Sequence, residues 1–261
     1  MTGRDARDET RTRTFLTAEW RRLVMLNHEI DPEALRPLVP RGVVLDTWNG
    51  MTLVSMVGFE FLDTRLLGVP VPFHRHFDEI NLRFYVRRDT PDGPRRGVVF
   101  VKEIVPRPAL AAVARLAYGE RYVSRPMRHR IDLADDGATP AGLVGYAWYD
   151  GGSWHRLHAT TTGEAHLPAA GSQEEFVTEH YWGYAAQRDG GCVEYRVEHP
   201  RWNVWRAADA RLDCDVAQVY GPRFTEALEA DPVSAFVADG SPVTVRAGAR
   251  LDSGHSGTMA P

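Results

Sequence analysis

Apolar and polar residues alternate along much of this chain, the period of an extended strand with one face turned inward. The sharpest case is Glu79-Ile80-Asn81-Leu82-Arg83-Phe84-Tyr85-Val86. There Ile80, Leu82, Phe84 and Val86 share one face, and Glu79, Asn81, Arg83 and Tyr85 share the other. Runs rich in Val, Ile, Phe and Tyr predict further strands over residues 51–62, 97–105, 128–133, 142–150, 154–162, 191–199 and 241–247. Asp92-Gly93 supplies the turn between the strands at 79–87 and 97–105. Helical signals are few and short. Asp31-Pro32-Glu33 combines an N-cap, a proline at the first helical position and an early acid. The alanine-rich run at 108–118 is a helix on composition, stopped by Gly119. Ser172-Gln173-Glu174-Glu175 is a capping box whose helix is expected to run into Tyr184, and a last helix covers residues 224–230. Many strands and a few short helices predict an α+β fold, a single domain on a large, mostly antiparallel sheet curled into a barrel. Residues 1–14 read as a disordered arm, 15–251 as the barrel domain and 252–261 as a flexible tail.

Composition narrows the partners. A net charge of -4 gives no reason to expect nucleic acid or an anionic membrane surface, and no apolar run is long enough to span a bilayer. The polar start of the chain has no apolar signal-peptide core, and Cys192 and Cys214 are too few for a disulfide framework, so a cytoplasmic setting is expected. Glycine-rich phosphate loops and Gly-x-Ser-x-Gly elbows are absent. The expected partner is a small-molecule ligand, with no cofactor.

Lys102 is the one lysine among 31 Lys and Arg residues. A desolvated amine can form a Schiff base, which a guanidinium cannot. Period two places Lys102 on a face with Val98, Phe100 and Ile104, an apolar setting that would lower its pKa, with Glu103 on the opposite face. On the strand at 79–87, the four polar groups either line a wet cavity or form a solvent face with cross-strand ion pairs. In a cavity, Arg83 clamps an anion and Glu79 moves a proton. His74, His76, Asp78 and Glu79 offer metal-ligand atoms. A strand would turn Glu79 away from the others, however, and Pro70 and Pro72 suggest a loop, so no metal is expected. Glu179-His180-Tyr181-Trp182 and Glu198-His199-Pro200-Arg201-Trp202 bring His and aromatic groups that can wall a pocket or serve as ordinary core.

The segments at 77–86, 97–106, 178–184, 197–202 and 232–241, taken in order, resemble the bacterial family called domain of unknown function 2071. That family is grouped with the acetoacetate-decarboxylase-like superfamily, which implies a cone-shaped β-barrel around a buried pocket. The decarboxylases carry a Schiff-base lysine in a Pro-Lys-Lys run shortly after a Gly-Arg-Glu strand. Here Pro108-Ala109-Leu110 falls at that place, and Lys102-Glu103 matches the Arg-Glu. The catalytic amine is therefore missing, the decarboxylase acids fall near Ser55 and Met56 and near Asp63 and Thr64, and acetoacetate decarboxylation by the usual residues is not expected. The expectation is an enzyme doing acid–base chemistry on a small organic acid or carbonyl compound through Glu79, Arg83 and Glu103. Asn81, Tyr85, Lys102, His180, Trp182 and Trp202 would contact the ligand. The alternatives are a non-catalytic binding protein on the same residues and a Schiff-base lyase using Lys102.

Overall fold

A computed structural model describes residues 13–70, 74–108, 121–133 and 142–251. Its strands are β1 (Thr14–Glu29), β2 (Val44–Leu45), β3 (Leu53–Leu66), β4 (Val69–Pro70), β5 (Phe77–Thr90), β6 (Gly93–Val105), β7 (Tyr122–Ser124) and β8 (Met127–Ile131) in the first half. β9 (Leu143–Asp150), β10 (Ser153–His166), β11 (Trp182–Ala186), β12 (Cys192–Glu198), β13 (Val204–Asp213), β14 (Ser234–Arg246) and β15 (Ala249–Arg250) follow. Four short helices accompany them among the described residues: α1 (Pro32–Leu35), α2 (Gln173–Thr178), α3 (Val216–Val219) and α4 (Thr225–Glu229). None is long and apolar enough to cross a membrane.

The strands form one sheet, ordered β15-β12-β11-β6-β5-β3-β1-β14-β13-β10-β9-β8 along its main path. Pairing is antiparallel except for β11–β6 and β6–β7. An additional two-residue pairing, Val197 with Val245 and Glu198 with Thr244, joins β12 directly to β14. The β5–β6 hairpin turns at Pro91-Asp92: Thr90 pairs with Gly93, whose φ of 112° suits a residue without Cβ.

β5 is buried on both faces. Ile80, Leu82, Phe84 and Val86 enter a core with Val24, Met56, Tyr146, Trp148, Leu157 and residues of α3 and α4. Tyr85 enters a second core with Leu23, Met25, Phe59, Phe61, Phe176 and Trp202. The period-two pattern of the sequence thus separates two packed layers, and the reading of Glu79, Asn81 and Arg83 as a solvent face is excluded by their exposures of 2%, 2% and 8%.

Several elements depart from the sequence reading. β1, 16 residues long, has no clean alternation. It slips register against β3 between Arg21 and Val24, where Arg22 takes a φ of 55°, and Leu23–Leu26 then pack alternately into both cores. β13 (VWRAADARLD) is rich in alanine and charge and gives little strand signal. α2 stops at Thr178, and residues 182–184, expected to continue the helix, instead begin β11 between β6 and β12. The capping box does start the helix, Ser172 Oγ accepting from the Glu175 N–H at 3.1 Å, and the parallel pairing of Trp182 and Gly183 with β6 ends it early. The helix expected at 108–118 lies almost wholly outside the described residues, as do 1–12 and 252–261.

A Cβ at Gly97 would lie 2.5 Å from the carbonyl oxygen of Trp182, a backbone atom fixed by the β11–β6 ladder. Gly97→Ala is expected to lower stability by about 2 kcal/mol or more through overpacking. Urea denaturation midpoints of the two proteins test this, and equal midpoints would remove the constraint.

Candidate functional site

Between β1, β3, β5, β6, α2 and β12 lies a cavity of about 120 Å3. β5 contributes Glu79, Asn81 and Arg83, β6 contributes Val98, Phe100 and Glu103, and β7 contributes Tyr122. Glu103 reaches this face because β6 carries a bulge. Arg83 pairs with Phe100 and Leu82 with Lys102, leaving Val101 as the extra residue. The bulge resets the alternation, so Phe100 and Glu103 share the cavity face although they are three residues apart.

Glu79 accepts from Asn81 Nδ2 at 2.9 Å and from Tyr122 Oη at 3.1 Å. Burial raises its pKa from the ordinary 4.5 to about 7, outweighing these two donors and the Arg83 charge, which act the other way. Tyr122 is pushed well above the usual phenol range by burial and by the nearby Glu103 and Glu79 charges, so it stays a neutral donor. Arg83 donates from Nη2 to the Val177 carbonyl at 3.2 Å, while its Nε is buried with no partner among the described residues. His180 is held in the wall with Nε2 3.4 Å from Asp46 Oδ2, and Asp46 also accepts from Arg96 Nε at 2.6 Å. Burial pulls the imidazole down to about 4 despite the Asp46 bond, so at neutral pH it is uncharged and carries its proton on Nε2, facing the carboxylate.

Of the residues expected to form the site, Glu79, Asn81, Arg83, Glu103, His180, Trp182 and Trp202 all line this cavity. Tyr85 and Lys102 do not. Tyr85 lies on the expected face, but its ring is packed against Phe176 and His180, and its hydroxyl is 2.6 Å from Ser55 Oγ, which donates on to Asn27. Lys102 corrects the alternation argument. The bulge at Val101 turns its side chain to the opposite face of the sheet, where Nζ donates to the Val219 carbonyl at 2.7 Å and meets Asp150 at 3.5 Å.

The sequence reading missed several lining residues. Tyr122 sits on a strand of three residues, too short to show an alternation. His199 shares the Glu198-His199-Pro200-Arg201-Trp202 motif with Trp202 and lines the cavity beside it. Its ring stacks on Trp202 at 4.2 Å and 16°, and its Nδ1 meets the Pro200 carbonyl at 2.9 Å. Trp20, Phe59 and Phe61 complete an aromatic wall. His74 and His76 take no part in the three-ligand cluster found among the described residues. That cluster is Glu60, Asp78 and His129, with ligand atoms within 4.8 Å of one another. Its acids already have partners, Arg22 on Glu60 at 2.6 Å and His129 on Asp78 at 2.8 Å.

The fold is that of acetoacetate-decarboxylase-like proteins. The chain superposes on the enduracididine biosynthesis enzyme MppR complexed with pyruvate with a TM-score of 0.63 at 13% identity, over 92% of this chain and 91% of that one. An acetoacetate decarboxylase-like enzyme from Sphingomonas wittichii RW1 gives 0.62 at 14% identity, over 91% and 93%. The acetoacetate decarboxylase of Legionella pneumophila gives 0.60 at 14%, over 91% and 87%. Within that fold the chain belongs to the domain of unknown function 2071 family of uncharacterized conserved proteins, whose model matches residues 17–242. It is also 40% identical over 68 residues to the uncharacterized protein YqjF of Bacillus subtilis, a stretch that spans 26% of this chain and 28% of that protein.

The raised Glu79 pKa has a consequence for stability. Between 4.5 and about 7 the folded state holds a proton that the unfolded chain has released. The contribution is therefore full below pH 4.5 and is lost as pH rises through 7. His180 acts on the acid side: its depressed pKa costs stability as pH falls from 6.5 toward 4. Glu79→Gln is expected to gain stability over the wild type between pH 5 and pH 8.5, by roughly 3 kcal/mol at most. Urea melts at the two pH values measure it, and a difference that does not change with pH would contradict the shift.

Proposed function

We propose that this protein is an enzyme performing acid–base chemistry on a small organic acid or carbonyl compound held in the cavity. The observation that carries this reading is the buried Glu79, poised near neutral pH beside two hydrogen-bond donors and the Arg83 charge. A carboxyl with a pKa near the working pH both takes and returns protons efficiently. Arg83, with one buried donor unused, suits the carboxylate or the developing enolate oxygen of a substrate. In the simplest reaction the substrate's α-C–H bond breaks, its proton passes to the Glu79 carboxylate and the electron pair moves to the carbonyl oxygen beside Arg83. Return of the proton at another atom completes an isomerisation without any further reactant. Glu103 and Tyr122 would set the position and protonation of Glu79.

Two further points support the reading. The β12–β14 pairing is the link needed to close β12, β11, β6, β5, β3, β1 and β14 into a barrel around the cavity, which would keep bulk water from the proton transfer. MppR, of similar fold, has been captured with pyruvate and with a condensation product of pyruvate.

A second reading, a non-catalytic binding protein using the same contacts, is favoured by the absence of a covalent amine. The one lysine of the chain is engaged with Val219 and Asp150 on the other face. Acetoacetate decarboxylation through a cavity lysine is not proposed for the same reason.

Turnover of a panel of keto acids, enol-forming acids and lactones separates the readings. Glu79→Gln is expected to lower kcat by about 100-fold or more, and Arg83→Ala to raise KM by about tenfold or more. Wild-type turnover in Glu79→Gln would overturn the role of the acid. Ligands that raise the melting temperature yet are recovered unchanged would establish the binding reading instead.

A further inference from the structure

The main polar groups of the cavity and its largest aromatic cluster come from neighbouring strands, with Val98 and Phe100 of β6 adding apolar lining beside Glu103. Glu79, Asn81, Arg83, Glu103 and Tyr122 lie on β5, β6 and β7, while Trp20 lies on β1 and Phe59 and Phe61 on β3. Register brings the two linings edge to edge, with Phe59 paired directly with Glu79 and Trp20 with Phe61. The rings also present edges to faces: Trp20 meets Phe59 at 5.3 Å and 67°, Phe61 at 5.8 Å and 76°, and Trp202 at 6.3 Å and 62°. Phe61 also stacks one face on Phe77 at 4.6 Å and 11°, and the surface that Trp20, Phe59 and Phe61 turn to the cavity is open to a further ring.

Size points the same way. A water needs roughly 10–15 Å3 of this kind of space. At about 120 Å3 the cavity is several times what a single water requires, so it admits a small organic molecule. A keto acid as small as pyruvate has one methyl group to set against the wall, which engages one ring at most. The same head carrying a phenyl ring places an apolar body against the aromatic wall.

We infer that the substrate is an aryl-substituted organic acid or carbonyl compound, its polar head at Glu79 and Arg83 and its ring against Trp20, Phe59 and Phe61. This rests on the acid–carbonyl reading above and adds the body of the molecule to its head. Trp20 Nε1 is buried without a partner among the described residues, so a ring bearing a hydrogen-bond acceptor on that side gains a further contact.

Calorimetric titration of the full-length protein with phenylpyruvate, trans-cinnamate, pyruvate and acetoacetate tests the inference. The two aryl acids are expected to bind at least about tenfold more tightly than the two small acids. Phe59→Leu and Phe61→Leu, with folding checked by urea melts, are expected to weaken the aryl acids by about tenfold or more, a larger loss than either variant causes for pyruvate. If the small acids bind as well as the aryl acids, the aromatic body is wrong and the acid–carbonyl reading stands. Binding by none of the four overturns both. An aryl preference that persists in both leucine variants overturns the assignment of the wall.

Discussion

A strand buried on both faces must hide whatever its sequence places there, and β5 places an acid, an amide and a guanidinium on one of them. The apolar side of β5 is committed to the packing of Ile80, Leu82, Phe84 and Val86, and a slip of one residue would drive those four groups into the polar cavity. The register of β5 is thereby fixed by hydrophobic burial, and the polar set follows from it. Desolvation of Glu79 comes from this constraint rather than from a special local motif.

The arginine-rich composition then distributes charge unevenly. Among the buried acids, Glu194 is held by Arg88 and Arg95, Asp46 by Arg96, Glu60 by Arg22, and Asp78 by His129. The first three are supplied with a direct cationic partner, and Asp78 with a ring nitrogen of His129. Glu79 instead has an amide and a phenol as its neighbours, with Arg83 acting on it only as a nearby charge. Hydrogen bonds from neutral groups compensate less of the desolvation of an anion than a contacting cation does, so this acid keeps its proton to higher pH.

Much of the cavity was legible because one strand obeys a strict period of two: Glu79, Asn81 and Arg83 stand where alternation puts them. Trp182 and Trp202 were legible as aromatics, although Trp182 lies on a strand where a helix was expected. What escaped was set by tertiary partners. β1 is hidden by its bulge and by burial on both sides, and it carries Trp20 into the wall. Tyr122 gains its position only from parallel pairing with Glu103. His199 is placed by stacking on Trp202, a contact that no spacing along the chain encodes. The mistaken face of Lys102 came from extending a regular pattern across an irregular strand.

That irregularity has a wider consequence. In β6 an acid and an amine stand side by side, and the position of the single extra residue decides which of them looks into the cavity. With the extra residue at Val101, the interior receives the carboxylate of Glu103 and the sheet's other face receives the amine. Were the extra residue to fall beyond Ile104 instead, the same sequence would present Lys102 inward and turn Glu103 away. The strand therefore encodes two opposite chemistries at once, and backbone geometry, without any change of side chain, selects between them.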